Sequence, residues 1–433
     1  LQDTATLARL IRELGQTEHW RADQLHDAQS QMLGRMLRFA HDNVPFYRQR
    51  LSGLTDAGGF SRPRELLAAL PVLTRGELKA HADDLHSAHA RAPQALKFTT
   101  SGSTGMPVTV AWDRAANVLV AAIVARYHRW WQSQPSARYA TLSAVPTDAQ
   151  GRGRELRGMA WYPGQPASDG VAADAAQPVR QQLDWLLREQ PRYLMTYPTN
   201  ARALLRAARE RGASLECLER IDTFGETAVE GLEALAREVC GAQLADRYSA
   251  REVGMIALEC PDGNGYRVQS ESVLVELLDE ADQPVSEGDS GRVVVTSLQN
   301  IAMPLIRYEI GDYAQAGTAP AGGMPHPVLH RIHGRRRNMF RLPDGDRLWP
   351  RFNSDDLASM APVRQFQLVQ KSLALLELKM VVDRAATAEE EAALERLVRQ
   401  RLKGNYALAL RYVEDIPRSA GGKYEDFRCE MAD

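Results

Sequence analysis

The chain has 433 residues, with 53 Lys+Arg against 55 Asp+Glu and a formal net charge of −2. Hydrophobic residues make up 44% and charged residues 25%, the proportions of a folded globular protein, which excludes disorder and collagen-like repeats. A balance so near neutral supplies no global field for a polyanion, so nucleic acid and an acidic membrane surface are excluded as main partners and any phosphate recognition is local.

The four cysteines, Cys217, Cys240, Cys260 and Cys429, form no CxxC pair and no disulfide framework. Leu1 to Gly15 lacks a continuous apolar run, and the longest such run, Val118 to Ala125, is far short of the ~18 residues of a membrane span. The expectation is a soluble, cytoplasmic protein of two or three domains. From Asp23 to Arg50 the apolar residues recur at helical spacing until Asn43-Val-Pro45, and residues 1–90 read as mainly helical. Leu96 to Thr100 reads as a strand entering a Ser/Gly/Thr turn, followed by a strand at Val108-Thr-Val110 and a helix from about Arg114 to Trp131. Pro146 to Pro178 has few periodic apolar positions and is expected to be a long loop or insertion.

Helical patterns at Val179 to Glu189, Asn200 to Arg211 and Thr227 to Val239 alternate with short apolar segments at Tyr193-Leu-Met195, Ile221 to Phe224 and Gln243-Leu244. That alternation predicts an α/β sheet with parallel pairs. Glu271 to Thr296 predicts a β-hairpin, and beyond Gly334 the order strand, strand, helix (Ala388 to Lys403), strand (Leu408 to Val413) suffices for a small α+β domain.

The most informative segment is Thr99-Thr-Ser-Gly-Ser-Thr-Gly-Met-Pro107. Small and hydroxylated residues between two strands free backbone amides to point into a concavity and add hydroxyl donors, as a polyphosphate requires. It is not a GxxxxGK[ST] loop, because the only Gly-Lys, Gly422-Lys423, lacks both the earlier Gly and the following Ser or Thr. No GxGxxG or GxSxG occurs. Further along stand Phe224-Gly-Glu226, Tyr248-Ser-Ala-Arg-Glu252, Arg307-Tyr-Glu-Ile-Gly-Asp312, Arg331-Ile-His-Gly-Arg335 and Gly421-Gly-Lys423.

In this order, those segments resemble the adenylate-forming (acyl-activating) superfamily. Ala40-His-Asp-Asn-Val-Pro-Phe-Tyr47, Leu70-Pro-Val-Leu-Thr-Arg75 and Asn300 to Tyr308 extend the resemblance to its phenylacetate-CoA ligase and CapK-like branch, over about Asp23 to Lys423. The resemblance implies an α/β fold with a large N-terminal adenylation domain of parallel and mixed sheets (1–336) and a small, mobile C-terminal α+β lid (337–433), hinged at Arg337. It implies that Thr100, Ser101, Gly102, Ser103, Thr104 and Gly105 hold the ATP phosphates and that Glu252 binds Mg²⁺. Gly225, Glu226, Tyr248 and Ser249 would line the nucleotide pocket, Asp312 would accept from the ribose hydroxyls, and Arg335 would reach the ribose and α-phosphate. Lys423 would neutralise charge as a carboxylate attacks the α-phosphorus.

The implied activity is ATP-dependent activation of a small carboxylic acid to an acyl-adenylate with release of pyrophosphate. Transfer to a thiol follows, from coenzyme A or from the phosphopantetheine arm of an acyl or aryl carrier protein. Two departures matter: Met106 stands where the family usually has Lys, and Arg251 where it usually has Thr. Arg251 would restore near the α-phosphate the charge that Met106 removes, and the competing reading is a non-catalytic binder of a nucleotide or acyl-adenylate. Trp161, Tyr197 and Phe224 are the candidates for an aromatic lining suited to an aryl or arylacetic acid. His326, His330 and His333 lie close in sequence but lack a completing Cys or carboxylate and read as a strand surface. Trp130-Trp131 reads as core.

Overall fold

The computed structural model describes residues 2–54, 59–92, 95–99, 108–146, 153–161, 169–320, 322–342, 347–350, 352–402, 406–416 and 424–431. The chain opens with helices α1 (Gln2–Thr17), α2 (Ala22–Asn43), α3 (Pro45–Leu51), α4 (Pro63–Ala69) and α5 (Arg75–Ala80). Pro45 and Pro63 start α3 and α4, where a missing N–H costs nothing. Thr74 caps α5 in a box with Glu77, which sets Arg75 as the first helical residue.

An antiparallel ribbon of β1 (Leu96–Thr99) and β2 (Thr109–Trp112) leads into α6 (Arg114–Trp130), capped by Asp113. Then come β3 (Tyr139–Ser143), β4 (Leu156–Met159), β5 (Gly170–Asp174), α7 (Val179–Glu189), β6 (Tyr193–Thr196), α8 (Pro198–Arg211), β7 (Arg220–Phe224), α9 (Leu232–Cys240) and β8 (Gln243–Ala250). The strands β9 (Gly254–Glu259), β10 (Tyr266–Val268), β11 (Val273–Leu278), β12 (Ser290–Ser297), β13 (Tyr308–Gly317) and β14 (Val328–Arg335) complete a 12-stranded sheet. Its order is β11-β12-β13-β14-β10-β9-β8-β7-β6-β3-β5-β4.

β5, β3, β6, β7 and β8 run parallel, with α7, α8 and α9 as crossovers, whereas β8 to β14 pair antiparallel. The five parallel strands begin in register at Tyr139, Gly170, Tyr193, Arg220 and Gln243. Their carboxyl ends therefore open at one edge, where ligands of α/β sheets bind. A buried polar knot fastens α6 beneath them. Asp222 accepts from Tyr127 at 2.6 Å, from Arg220 at 2.7 Å and from Arg247 at 3.1 Å. Burial opposes ionisation of Asp222, but the two guanidiniums outweigh it and hold the carboxyl well below its usual range.

The smaller unit has a core of its own, with Phe340, Phe352, Phe366, Leu368, Leu378 and Leu394 in it. It contains β15 (Phe340–Arg341), β16 (Arg347–Leu348), α10 (Ser354–Ala358), β17 (Val363–Gln370), β18 (Leu375–Val382), α11 (Ala388–Leu402), β19 (Ala407–Tyr412) and β20 (Phe427–Cys429). Four strands form a sheet in the order β19-β18-β17-β20.

Several expectations are corrected. Pro146 to Pro178 is no plain loop, because it contributes β4 and β5, the latter inside the main sheet. Gly170-Val-Ala-Ala-Asp174 has little intrinsic strand preference, and pairing with β3 decides its conformation. The helix expected from Thr227 begins only at Leu232, after Gly231 turns through a positive φ of 77°. The chain after Gly421-Gly-Lys423 is not a free tail, since β20 joins the sheet parallel to β17.

Candidate active site

At the carboxyl edge of the sheet, β7 ends at Phe224 and Gly225 turns the chain with a φ of +77°, a conformation that favours glycine. Gly334 lets β14 pass close to this loop, where a Cβ would collide with Thr227 Oγ1. The next residue, Arg335, pairs in register with Asp312 of β13. Arg335 Nε lies 3.0 Å from Asp312 Oδ1, and the Tyr248 hydroxyl donates to Asp312 Oδ2 at 2.9 Å. Asp312 raises the Arg335 pKa, while burial and the Asp312 charge push the Tyr248 phenol far above its ordinary value. The structure thus brings Tyr248 of β8, Asp312 of β13 and Arg335 of β14 together, with Gly334 against Thr227 of the loop that Gly225 opens.

Glu252 follows β8, its side chain 7% exposed, with Arg75 Nη1 at 3.0 Å from Oε1. The same Arg75 nitrogen is 3.4 Å from the Tyr308 hydroxyl. The second Glu252 oxygen takes no hydrogen bond from the described residues, which fits a carboxylate with one oxygen left for a hard cation. Arg75 had no assigned role at the sequence level. The signal for it was the Thr74–Glu77 cap, which starts a helix at Arg75 but says nothing of what that residue faces. Arg251 donates to the Thr99 carbonyl at 2.7 Å, at the entrance to the Ser/Gly/Thr turn. Thr100 to Gly105, Met106 and Lys423 lie outside the described residues. Ser249 sits on β8, paired with Met255.

The aromatic candidates separate. Tyr197, the N-cap of α8, and Phe224 face each other at the open edge with ring centroids 4.9 Å apart. Trp161 is corrected: it packs on Tyr139 and Tyr193 with centroids 5.3 Å away, at the amino ends of β3 and β6, the opposite edge of the sheet. The reversal comes from β4, which runs antiparallel to β5 and delivers the chain to the wrong pole. Phe224→Ala is therefore expected to raise KM for an aromatic acid by about 10-fold or more, the scale of lost apolar pocket contact. Trp161→Phe should leave that KM unchanged while lowering the thermal midpoint. Acid titrations of both variants, alongside melting curves, check the pair, and a selectivity change in Trp161→Phe would count against this placement.

The two units meet near the same edge. Glu226 Oε2 accepts from Thr199 Oγ1 at 2.8 Å and Thr199 N at 3.2 Å, while Oε1 accepts from the Tyr424 amide at 2.6 Å. Asp355 of α10 receives Arg202 at 2.7 Å and Arg206 at 3.2 Å. Arg337 pairs with Glu425, and burial together with the neighbouring Arg335 charge pushes its guanidinium down to about 10. Sequence named Glu226 for the nucleotide pocket and Arg337 for the hinge, but none of these pairings was legible in it. His326 is not on a strand surface: it is fully buried, 3.2 Å from Glu271. His333 bonds Ser290 at 2.8 Å and stacks on Trp349. Among the described residues no cluster of metal-ligating side chains is present, and no helix is long and apolar enough to cross a membrane.

Residues 352–427 match the CapK C-terminal domain family. The chain is 26% identical to a phenylacetate-coenzyme A ligase of Thermus thermophilus, over 93% of this chain and 95% of that protein. With a phenylacetate-coenzyme A ligase of Escherichia coli the identity is 25%, over 92% and 93%. Among solved structures, a 2-hydroxyisobutyryl-CoA ligase in its postadenylation state superposes with a TM-score of 0.74 at 21% identity, covering 96% of this chain and 91% of that one. The same ligase in its thioesterification state gives 0.64 at 21% identity, over 96% and 92%. These likenesses support the resemblance to the adenylate-forming superfamily and to its phenylacetate-CoA ligase and CapK-like branch.

Proposed function

We propose that the protein is an AMP-forming acid–thiol ligase that activates a small aryl or arylacetic acid with ATP and passes the acyl group to coenzyme A. The observation that carries this reading is the Asp312–Arg335–Tyr248 constellation beside the Gly225–Glu226 turn. A carboxylate's two acceptor oxygens match the vicinal hydroxyls of a ribose, and the guanidinium beside it faces the adjoining phosphate. The backbone of Gly225 and Glu226, with Tyr248 and Ser249, lines the adenine. The hydroxyls and amides of Thr100 to Gly105 take the outgoing phosphates, with Arg251 at the base of that turn. The similar ligases carry phenylacetate in their names, and the partly buried Phe224, backed by the core residue Tyr197, offers an apolar contact for such an acid.

Carboxylate and triphosphate repel one another, so the reaction requires aimed cations and amides before the α-phosphorus can be approached. Mg²⁺, when bound, would supply part of that charge compensation, and Glu252 would be the carboxylate that holds it. Arg335 and Lys423 supply the rest from the protein. Lys423 comes from the lid, which we place at 337–433 with its pivot at Arg337. The lid excludes water while the mixed anhydride exists, and its rotation about Arg337 then admits the thiol. A carrier-protein arm is the alternative acceptor.

Acid-dependent release of pyrophosphate from ATP, with hydroxylamine present to trap adenylates, tests the reading. A panel of phenylacetic, benzoic and hydroxylated aryl acids is expected to include at least one that releases pyrophosphate and, with free coenzyme A, yields a thioester. No release with any member would favour a nucleotide-binding protein without turnover. Transfer only to a carrier would reassign the acceptor.

A further inference from the structure

Resting on the ligase reading above, we propose that Glu226 is a positioning residue, a clasp that holds the lid in the orientation for adenylation. It would act through its carboxylate rather than by touching the nucleotide base. Oε2 is fixed to the large unit by the amide and hydroxyl of Thr199, at the start of α8. Oε1 reaches across the seam to the Tyr424 amide at 2.6 Å, a charge-assisted bond of the strong kind. On its other side Tyr424 belongs firmly to the lid: its hydroxyl donates to the Phe366 carbonyl at 2.5 Å, and Gln367 donates to the Glu425 carbonyl at 3.0 Å. One carboxylate thus joins the first turn of a large-domain helix to the backbone of the lid, through partners 27 and 198 residues away in sequence.

The place of this contact gives it a role. Tyr424 directly follows Lys423, so the clasp fixes one end of the segment that carries the lysine. A rotation of the lid about Arg337 must break the bond, because Thr199 holds the carboxylate back. The bond therefore exists in one state of the cycle and not in the other. The Arg202–Asp355–Arg206 contact also spans the seam, but its aspartate is 41% exposed, and solvent can replace its partners.

Glu226→Ala is expected to lower kcat for adenylation by about 10²-fold, the cost of displacing a reacting group by about an ångström. KM for ATP and the rate of thioester formation from preformed acyl-adenylate should not move. Glu226→Gln keeps an oxygen that can accept from the Tyr424 amide and is expected to recover most of the loss. Hydrogen exchange at the Tyr424 amide reads the contact without turnover, with protection in the wild type and loss of it in Glu226→Ala. A rise in KM for ATP with kcat intact would overturn the proposal in favour of an adenine contact, and equal losses in both half-reactions would overturn it in favour of general damage. Unchanged amide protection in Glu226→Ala would overturn it as well. A wild type that adenylates no acid would instead fail the ligase reading, while the exchange experiment still decides whether the clasp exists.

Discussion

Replacing Lys423 by alanine is expected to slow adenylation by about 10²- to 10³-fold, the scale for losing one preorganised donor at a site of developing charge. The reason lies in where the lysine is carried. Every other group proposed to contact ATP belongs to the large domain, whereas Lys423 immediately precedes Tyr424, whose backbone is bonded to Glu226 at that domain's open edge. On the mechanism proposed above, its ammonium would be delivered only while Tyr424 is bonded to Glu226. Thioester formation from a preformed acyl-adenylate should then suffer much less, because that mechanism has the lid turned away in the second half-reaction. Pyrophosphate exchange and thioester formation, measured separately, give opposite answers for a residue that acts in one half-reaction. Equal losses in both would refute the two-orientation mechanism, and no loss in either would make Lys423 dispensable.

Glu252→Gln carries the second large effect. A neutral amide is a poor ligand for a hard dication, so the Mg²⁺ concentration for half-maximal adenylation is expected to rise by about 10²-fold. That is the upper end of what is lost when a residue merely supports a metal ligand. The ion pair with Arg75 at 3.0 Å supplies a discriminating partner experiment. If Glu252 serves the metal, Arg75 competes for the same carboxylate, and Arg75→Gln should lower the Mg²⁺ requirement even if turnover falls. If Glu252 serves only to neutralise Arg75, neither variant changes the Mg²⁺ titration. Mg²⁺ titrations of both variants, with melting curves as a check on folding, separate the two.

The parts of this protein legible in sequence are those in which neighbouring residues carry the signal. Helical spacing in α2 and α6, strand and helix alternation from β6 to β8, and the hairpin of β11 and β12 are short-range patterns, and each appears in the structure close to its expected bounds, apart from the late start of α9 at Leu232. Asp312 and Arg335 were legible as separate motifs, each with its own Gly turn, though their pairing across β13 and β14 was not.

Pairing across the fold belonged to the tertiary structure. β5 is Ala-rich and looks like linker, yet it lies within the main sheet because β3 offers it an unpaired edge. Trp161 looked like pocket lining by its chemistry, but the antiparallel run of β4 carries it to the pole of the sheet away from Tyr197 and Phe224. Arg75 and Glu252 are 177 residues apart, and Glu226 and Tyr424 are 198 apart. Periodicity reports which face of its own element a residue occupies, because side-chain direction repeats along a helix or strand. It carries no information about which distant charge that face will meet. Short motifs and their order therefore carried the family resemblance, while strand order and the docking of the smaller unit decided that Asp312 meets Arg335 and Tyr248, that Glu252 meets Arg75, and that Glu226 meets the Tyr424 amide.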